Sequence, residues 1–174
     1  TIEDYAFNGA EGITEFTLSE GLTSVGVGAF LRCSRIQSVT IPNTVTKMGR
    51  SAFEGCENLK TVNIGMGLTE IPDTAFKNCS AVTAVEIPAN VTTVRDSAFY
   101  GCAAIKTLTL NEVLRIIEDN AFNGCAAVEQ IVIPDTVTEI GDYAFNGVAA
   151  AKKVTLGNSL TTIGRGAFLA CEGL

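Results

Sequence analysis

The six cysteines are the residues best equipped for chemistry, and all stand on one phase. Cys33, Cys56, Cys79, Cys102, Cys125 and Cys171 are separated by 23 residues or multiples of 23, with Ala10 and Val148 in the remaining places. Zinc would need four thiolates around a tetrahedron, usually supplied as closely spaced Cys pairs. One Cys per 23 residues gives a line instead. A disulfide needs Cα atoms about 4.4–6.8 Å apart and converging Cβ directions, whereas side chains stacked on one phase run parallel. The expected role is therefore a small buried hydrophobe of low reactivity, a role that Ala and Val can share.

A second ladder is acidic. Asp73, Asp96, Asp119 and Asp142 also recur every 23 residues, and coils about 4.8 Å apart would bring them together. Calcium takes at least about six oxygens, yet Val27, Arg50 and Arg165 share this phase. The favoured expectation is that each Asp N-caps a helical turn by accepting from nearby backbone N–H groups. Calcium is the alternative.

Histidine is wholly absent. That removes the Ser-His-Asp and Cys-His nucleophile arrangements and the commonest transition-metal ligand. No Gly-rich phosphate loop with its Lys appears either. The expectation is a chain that is not an enzyme and binds no cofactor. Its net charge of -7 and isoelectric point near 4.6 would repel a phosphate backbone, so nucleic acid is not an expected partner. No apolar run approaches the ~20 residues of a membrane span, so no direct membrane insertion is expected. No signal peptide opens the sequence.

The elements that position these ladders follow from the repeat. Phe7, Phe30, Phe53, Phe76, Phe99, Phe122, Phe145 and Phe168 mark eight copies of a 23-residue unit. Other apolar columns keep the same step, among them Val39, Val62, Val85 and Leu108, and Ile41, Ile64, Ile87 and Leu110. Each V-x-I segment reads as a short strand, with Val62 and Ile64 inward and Thr61 and Asn63 outward. The Pro or Gly that follows ends the strand, because Pro has no N–H for a ladder. The stretch Asp-x-Ala-Phe-x-Gly-Cys reads as a helical turn with a tight exit at Gly55, Gly101, Gly124 and Gly147. A single coil cannot bury its own apolar face, so coils must stack and the V-x-I segments should make one parallel sheet of about seven strands. A second period of 46 residues places Pro42, Pro88 and Pro134 in alternate coils, beside Val45, Val91 and Val137. It implies duplication of a two-coil unit.

Residues 41–64, I-P-N-T-V-T-K-M-G-R-S-A-F-E-G-C-E-N-L-K-T-V-N-I, resemble the BspA-type leucine-rich repeat of bacterial and protist surface proteins, and the likeness runs through the whole chain. The resemblance implies an α/β leucine-rich repeat solenoid. It would be a right-handed superhelix of 23-residue coils with a parallel sheet on its concave face, and with short strands and helical turns elsewhere. It also implies an extracellular or cell-surface location, with adhesion to proteins of the host extracellular matrix or to other bacteria. It brings no catalytic residues. Thr1 and Leu174 both fall inside repeats, so residues 1–174 are expected to be one repeat domain, an uncapped piece of a larger protein.

On that reading the chain is a protein-binding or adhesion module. A structural spacer, or an accessory repeat domain of a larger surface enzyme, is the alternative. The outward column Thr17, Thr40, Asn63, Glu86, Thr109, Val132 and Thr155 would face a partner, flanked by Glu15, Ser38, Thr61, Thr107, Gln130 and Lys153. In N-E-V-L-R-I-I-E, Val113 and Ile116 stand where neighbouring coils carry polar residues. They are either a contact point or ordinary exposed aliphatics. The outward residues are small and lack the Trp, Tyr and Arg anchors of strong hot spots, which suits a weak or multivalent partner.

Overall fold

β-branched residues at alternate positions favour extended backbone, and each coil supplies them twice, once in V-x-I and once in T-x-I. The computed structural model describes residues 1–174 and contains thirteen short strands and no helix. The V-x-I line comprises β2 (Ser38–Ile41), β4 (Thr61–Ile64), β6 (Ala84–Glu86), β8 (Thr107–Thr109), β10 (Gln130–Val132) and β12 (Lys153–Thr155). The T-x-I line comprises β1 (Ser24–Val25), β3 (Lys47–Met48), β5 (Glu70–Ile71), β7 (Thr93–Val94), β9 (Ile116–Ile117), β11 (Glu139–Ile140) and β13 (Thr162–Ile163). All pairing is parallel, and each residue pairs with the one 23 positions later, as Val39 does with Val62 and Val85 with Leu108.

The expected α/β class is corrected to an all-β solenoid, because the segment around Ala-Phe is not helical. Each coil holds two left-handed residues four positions apart. Tyr5, Gly28, Ser51, Thr74, Ser97, Asn120, Tyr143 and Gly166 have φ between 53° and 62°. Gly9, Arg32, Gly55, Asn78, Gly101, Gly124, Gly147 and Ala170 have φ between 54° and 76°. An α-helix cannot pass through either position. The hydrogen bonds tell the same story. Ala75, Lys77 and Cys79 donate three residues back, to Pro72, Thr74 and Phe76, closing successive turns. The residues between them donate to the next coil: Thr74 to Asp96 at 2.9 Å, Phe76 to Ala98 at 2.8 Å and Asn78 to Tyr100 at 2.7 Å. The corner is thus a third ladder between coils, and it satisfies N–H groups that a helix would have kept within one coil.

The sheets are also more divided than the repeat suggested. The T-x-I line forms a five-stranded sheet, β5-β7-β9-β11-β13, and a separate pair β1-β3. The V-x-I line forms three pairs, β2-β4, β6-β8 and β10-β12. The breaks coincide with prolines. Along the T-x-I line, Gly49 donates to Val25, Arg95 to Ile71, Glu118 to Val94, Gly141 to Ile117 and Gly164 to Ile140, each 24 residues back. Pro72 occupies the same place above Met48 and has no hydrogen to donate, so β3 and β5 stay apart. On the V-x-I line the N–H of Ile87 goes up to the carbonyl of Thr109 at 2.9 Å, and Ile133 likewise to Thr155. Successive residues of a strand address opposite neighbours, so the missing N–H groups of Pro88 and Pro134 are the ones that would meet β4 and β8 below. The four prolines therefore divide the ladders, with Pro42 above the strandless stretch at Thr17.

One continuous core of 44 buried residues runs through all coils, and it contains no polar or charged side chain. Phe30, Phe53, Phe76, Phe99, Phe122 and Phe145 are fully buried. They lie in one internal column with ring centroids 5.1–5.6 Å apart and planes within 12°. Burying each such ring contributes about 1.5–3 kcal/mol. Phe7 in the first coil, and Ile163 and Leu169 in the last, are exposed where no coil stacks on them.

Candidate functional site

The strand alternation that buries Val62 and Ile131 turns their neighbours outward. Thr17, Thr40, Asn63, Glu86, Thr109, Val132 and Thr155 are exposed and follow one another up the V-x-I face, with Thr61, Thr107, Gln130 and Lys153 exposed beside them. The paired strands put Thr40 opposite Asn63, Glu86 opposite Thr109, and Val132 opposite Thr155. Asn63 Nδ2 donates to Thr40 Oγ1 at 3.2 Å. Near the start of the chain a shallow cleft of about 420 Å³ joins Thr17 and Thr61 with Glu15, Gln37, Ser38 and Lys60.

Val113 and Ile116 do not join this face. Val113 is exposed on the turn that precedes β9, and Ile116 lies half-buried within β9 on the T-x-I line. Ile116 borders a cleft of about 320 Å³ with Asp96, Glu118, Asp119 and Glu139. Arg95 stands next to it. Its guanidinium donates to Glu70 at 3.0 and 2.6 Å and to Glu118 at 3.3 Å. Those bonds, first of all the one to Glu70, raise its pKa. All three side chains are only half-buried and still reached by solvent, so the pairs add little stability.

No helix exists for the Asp ladder to cap, which is a further correction, and two of its members, Asp119 and Asp142, bond between coils instead. Asp119 Oδ1 accepts from the backbone N–H of Asp142 at 2.6 Å, and Asp142 Oδ1 from that of Arg165 at 2.7 Å. Asp4 does the same for Val27 at 2.7 Å. Each acceptor reaches the residue one coil above, because no helix start exists to cap. The N–H of Asp96 is met from the opposite side, by Glu118 Oε2 of the coil above at 3.1 Å.

The thiols are internal. Cys33, Cys56, Cys79, Cys102 and Cys125 are buried, and Cys171 lies near the open end of the last coil. Each Sγ donates to the carbonyl of the Phe 26 residues earlier, at 2.9–3.3 Å. Burial pushes the Cys56 and Cys102 thiols up to about 12 and those of Cys79 and Cys125 well above the ordinary value. A thiol so placed is a poor nucleophile and metal ligand. No three His, Cys, Asp or Glu side chains gather around a point that could hold a metal ion.

Sequence reasoning overlooked Met66. It is 59% exposed and sits beside the break between β4 and β6, in a cleft of about 270 Å³ with Asn63 and Glu86. Its signal was an apolar side chain in the turn after V-x-I, where the equivalent residues are Glu20, Asn43, Ala89, Glu112, Asp135 and Asn158.

A stack of parallel-paired 23-residue coils around a Phe column defines a repeat scaffold of the leucine-rich repeat class. The sequence profile of the BspA type leucine rich repeat region matches residues 1–128 and 115–174, and the chain belongs to that family. Among solved structures, it is similar to a leucine-rich repeat protein from Bacteroides ovatus, with 29% identity and a TM-score of 0.91 over 99% of this chain and 45% of that one. A leucine-rich repeat protein from Eubacterium ventriosum gives 28% identity and a TM-score of 0.79 over 84% and 40%. The T. pallidum leucine-rich repeat protein gives 26% and 0.82 over 88% and 72%. The chain thus spans less than half the length of the first two. No curated protein matches it in sequence.

Proposed function

We propose that this chain is a protein-binding, adhesion-type module of a bacterial cell-surface protein, and that the V-x-I face receives the partner. The observation that carries the reading is that two adjacent columns of outward residues stay exposed through the successive coils and contribute nothing to the core. Extended faces of this kind are what repeat proteins use for partners. The residues are small and mostly uncharged, with Val132 half-exposed at 49% as an apolar point within the column. That composition fits a weak contact repeated along the face rather than one deep anchor. Membership of the BspA type family supports the surface location and the choice of protein as partner.

Pull-down from extracellular matrix proteins and from bacterial surfaces, with wild type and Val132→Asp, tests this. Val132 is outward on β10, so the substitution should leave unfolding within about 0.5 kcal/mol of wild type while weakening capture. Capture that Val132→Asp leaves intact would move the site off this face. No capture by wild type would favour a spacer.

A further inference from the structure

The break that Pro88 creates between β4 and β6 is lined differently from the other breaks of the V-x-I line. Its cleft of about 270 Å³ has an apolar floor and rim of Val62, Ile64, Pro88 and Met66, with Asn63 and Glu86 standing over it. Glu86 carries the only formal charge in its outward column. Its carboxylate enters none of the ion pairs in the structure, which join Arg95 to Glu70 and Glu118 and Arg165 to Asp142. One of the two N–H groups of the Asn63 amide goes to Thr40, and its Oδ1 accepts no hydrogen bond within the protein. At the break below Pro134 the corresponding residues are Thr109 and Val132, and below Pro42 they are Thr17 and Thr40, none of them charged.

An aliphatic floor with two acceptors above it suits a side chain that is apolar along its length and cationic at its tip. We propose that this cleft takes a lysine or arginine side chain from a basic segment of the partner protein, an inference that rests on the strand-face reading above. The stem lies along Ile64, Pro88 and Met66, and the ammonium or guanidinium meets the Glu86 carboxylate and Asn63 Oδ1. The net charge of -7 favours approach of such a segment. A divalent cation is not the occupant this geometry suits, because one carboxylate and one amide fall far short of its oxygen shell.

The test is a titration of the intact chain with acetyl-Ala-Lys-Ala-Lys-Ala-amide, followed through the Met66 methyl and Asn63 side-chain amide signals by NMR. The same peptide with Glu for Lys is the control. The lysine peptide should shift both signals and the glutamate peptide neither. Glu86→Gln should weaken binding about two- to fivefold, the range of an exposed ion pair, and Met66→Ala should weaken it as well. Glu172→Gln, far along the chain and equal in charge change, should leave it as it was. Equal weakening by Glu86→Gln and Glu172→Gln, or unshifted Met66 and Asn63 signals, would overturn the proposal. If those signals fail while Val132→Asp still abolishes capture of a protein partner, the cleft is wrong and the strand face stands.

Discussion

The thiol of Cys79 donates to the carbonyl oxygen of Phe53, one coil below, at 3.1 Å. The same carbonyl accepts the N–H of Cys56 within its own coil at 3.3 Å. A buried carbonyl has two lone pairs and no water to fill the second, so the Cys phase supplies a donor that Ala or Val cannot. Where Val148 stands, the Phe122 carbonyl keeps only its bond from Cys125 N–H. The cysteines therefore act as fasteners between coils as well as filling volume.

Alkaline pH should loosen these fasteners. The thiols of Cys56 and Cys102 are raised to about 12 in the fold, against an ordinary value of 9.0. The unfolded chain therefore loses these protons first as pH rises. The stability tied to them is complete below pH 9 and falls as pH climbs from 9 toward 12, by about 1.4 kcal/mol per thiol per unit. Urea unfolding at pH 8 and pH 10 should show the loss, and Cys56→Ala with Cys102→Ala should shrink it. An equal loss in that double variant would assign the effect to groups other than these two thiols.

Close stacking should make some glycines irreplaceable and others free. A Cβ at Gly67 would run into the backbone carbonyl oxygens of Asn43 and Val45, which cannot swing aside. At Gly21 it would meet nothing within 4 Å. Gly67→Ala should cost about 1–3 kcal/mol as overpacking, and Gly21→Ala should stay within about 0.5 kcal/mol. Thermal unfolding of the two variants decides it; equal midpoints would contradict the coil spacing at Gly67.

Restoring a ladder N–H should join sheets that are now separate. Pro72→Arg puts a donor above the Met48 carbonyl, as Arg95 already does above Ile71 at 3.0 Å. The gain of about 0.5–1.5 kcal/mol is offset by the lost stiffness of Pro, about 0.4–1 kcal/mol, so overall stability should barely move. The amide of residue 72 should instead become protected from hydrogen exchange to the degree of Arg95. Exchange at the rate of an open loop would show that something other than Pro72 parts β3 from β5.

The 23-residue period alone determined the stacking, the Phe column, the inward Val and Ile positions and the outward Thr17-to-Thr155 face. A side chain repeated on one phase has no other way to leave water than against its copies. The local signal of Asp-x-Ala-Phe-x-Gly-Cys was compatible with a helical turn, and nothing within one coil excludes it. Only stacking decided otherwise: once the next coil offers the carbonyls of Asp96, Ala98 and Tyr100, alternate N–H groups leave their own coil and Thr74 settles at a φ of 53°. The same contact redirected the Asp119 carboxylate from a cap to the neighbouring backbone. Pro88 was legible as the end of a strand, but which neighbour lost its partner depends on the direction of the Ile87 N–H. That direction, and with it the cleft between Met66 and Glu86, exists only after the coils have been laid on one another.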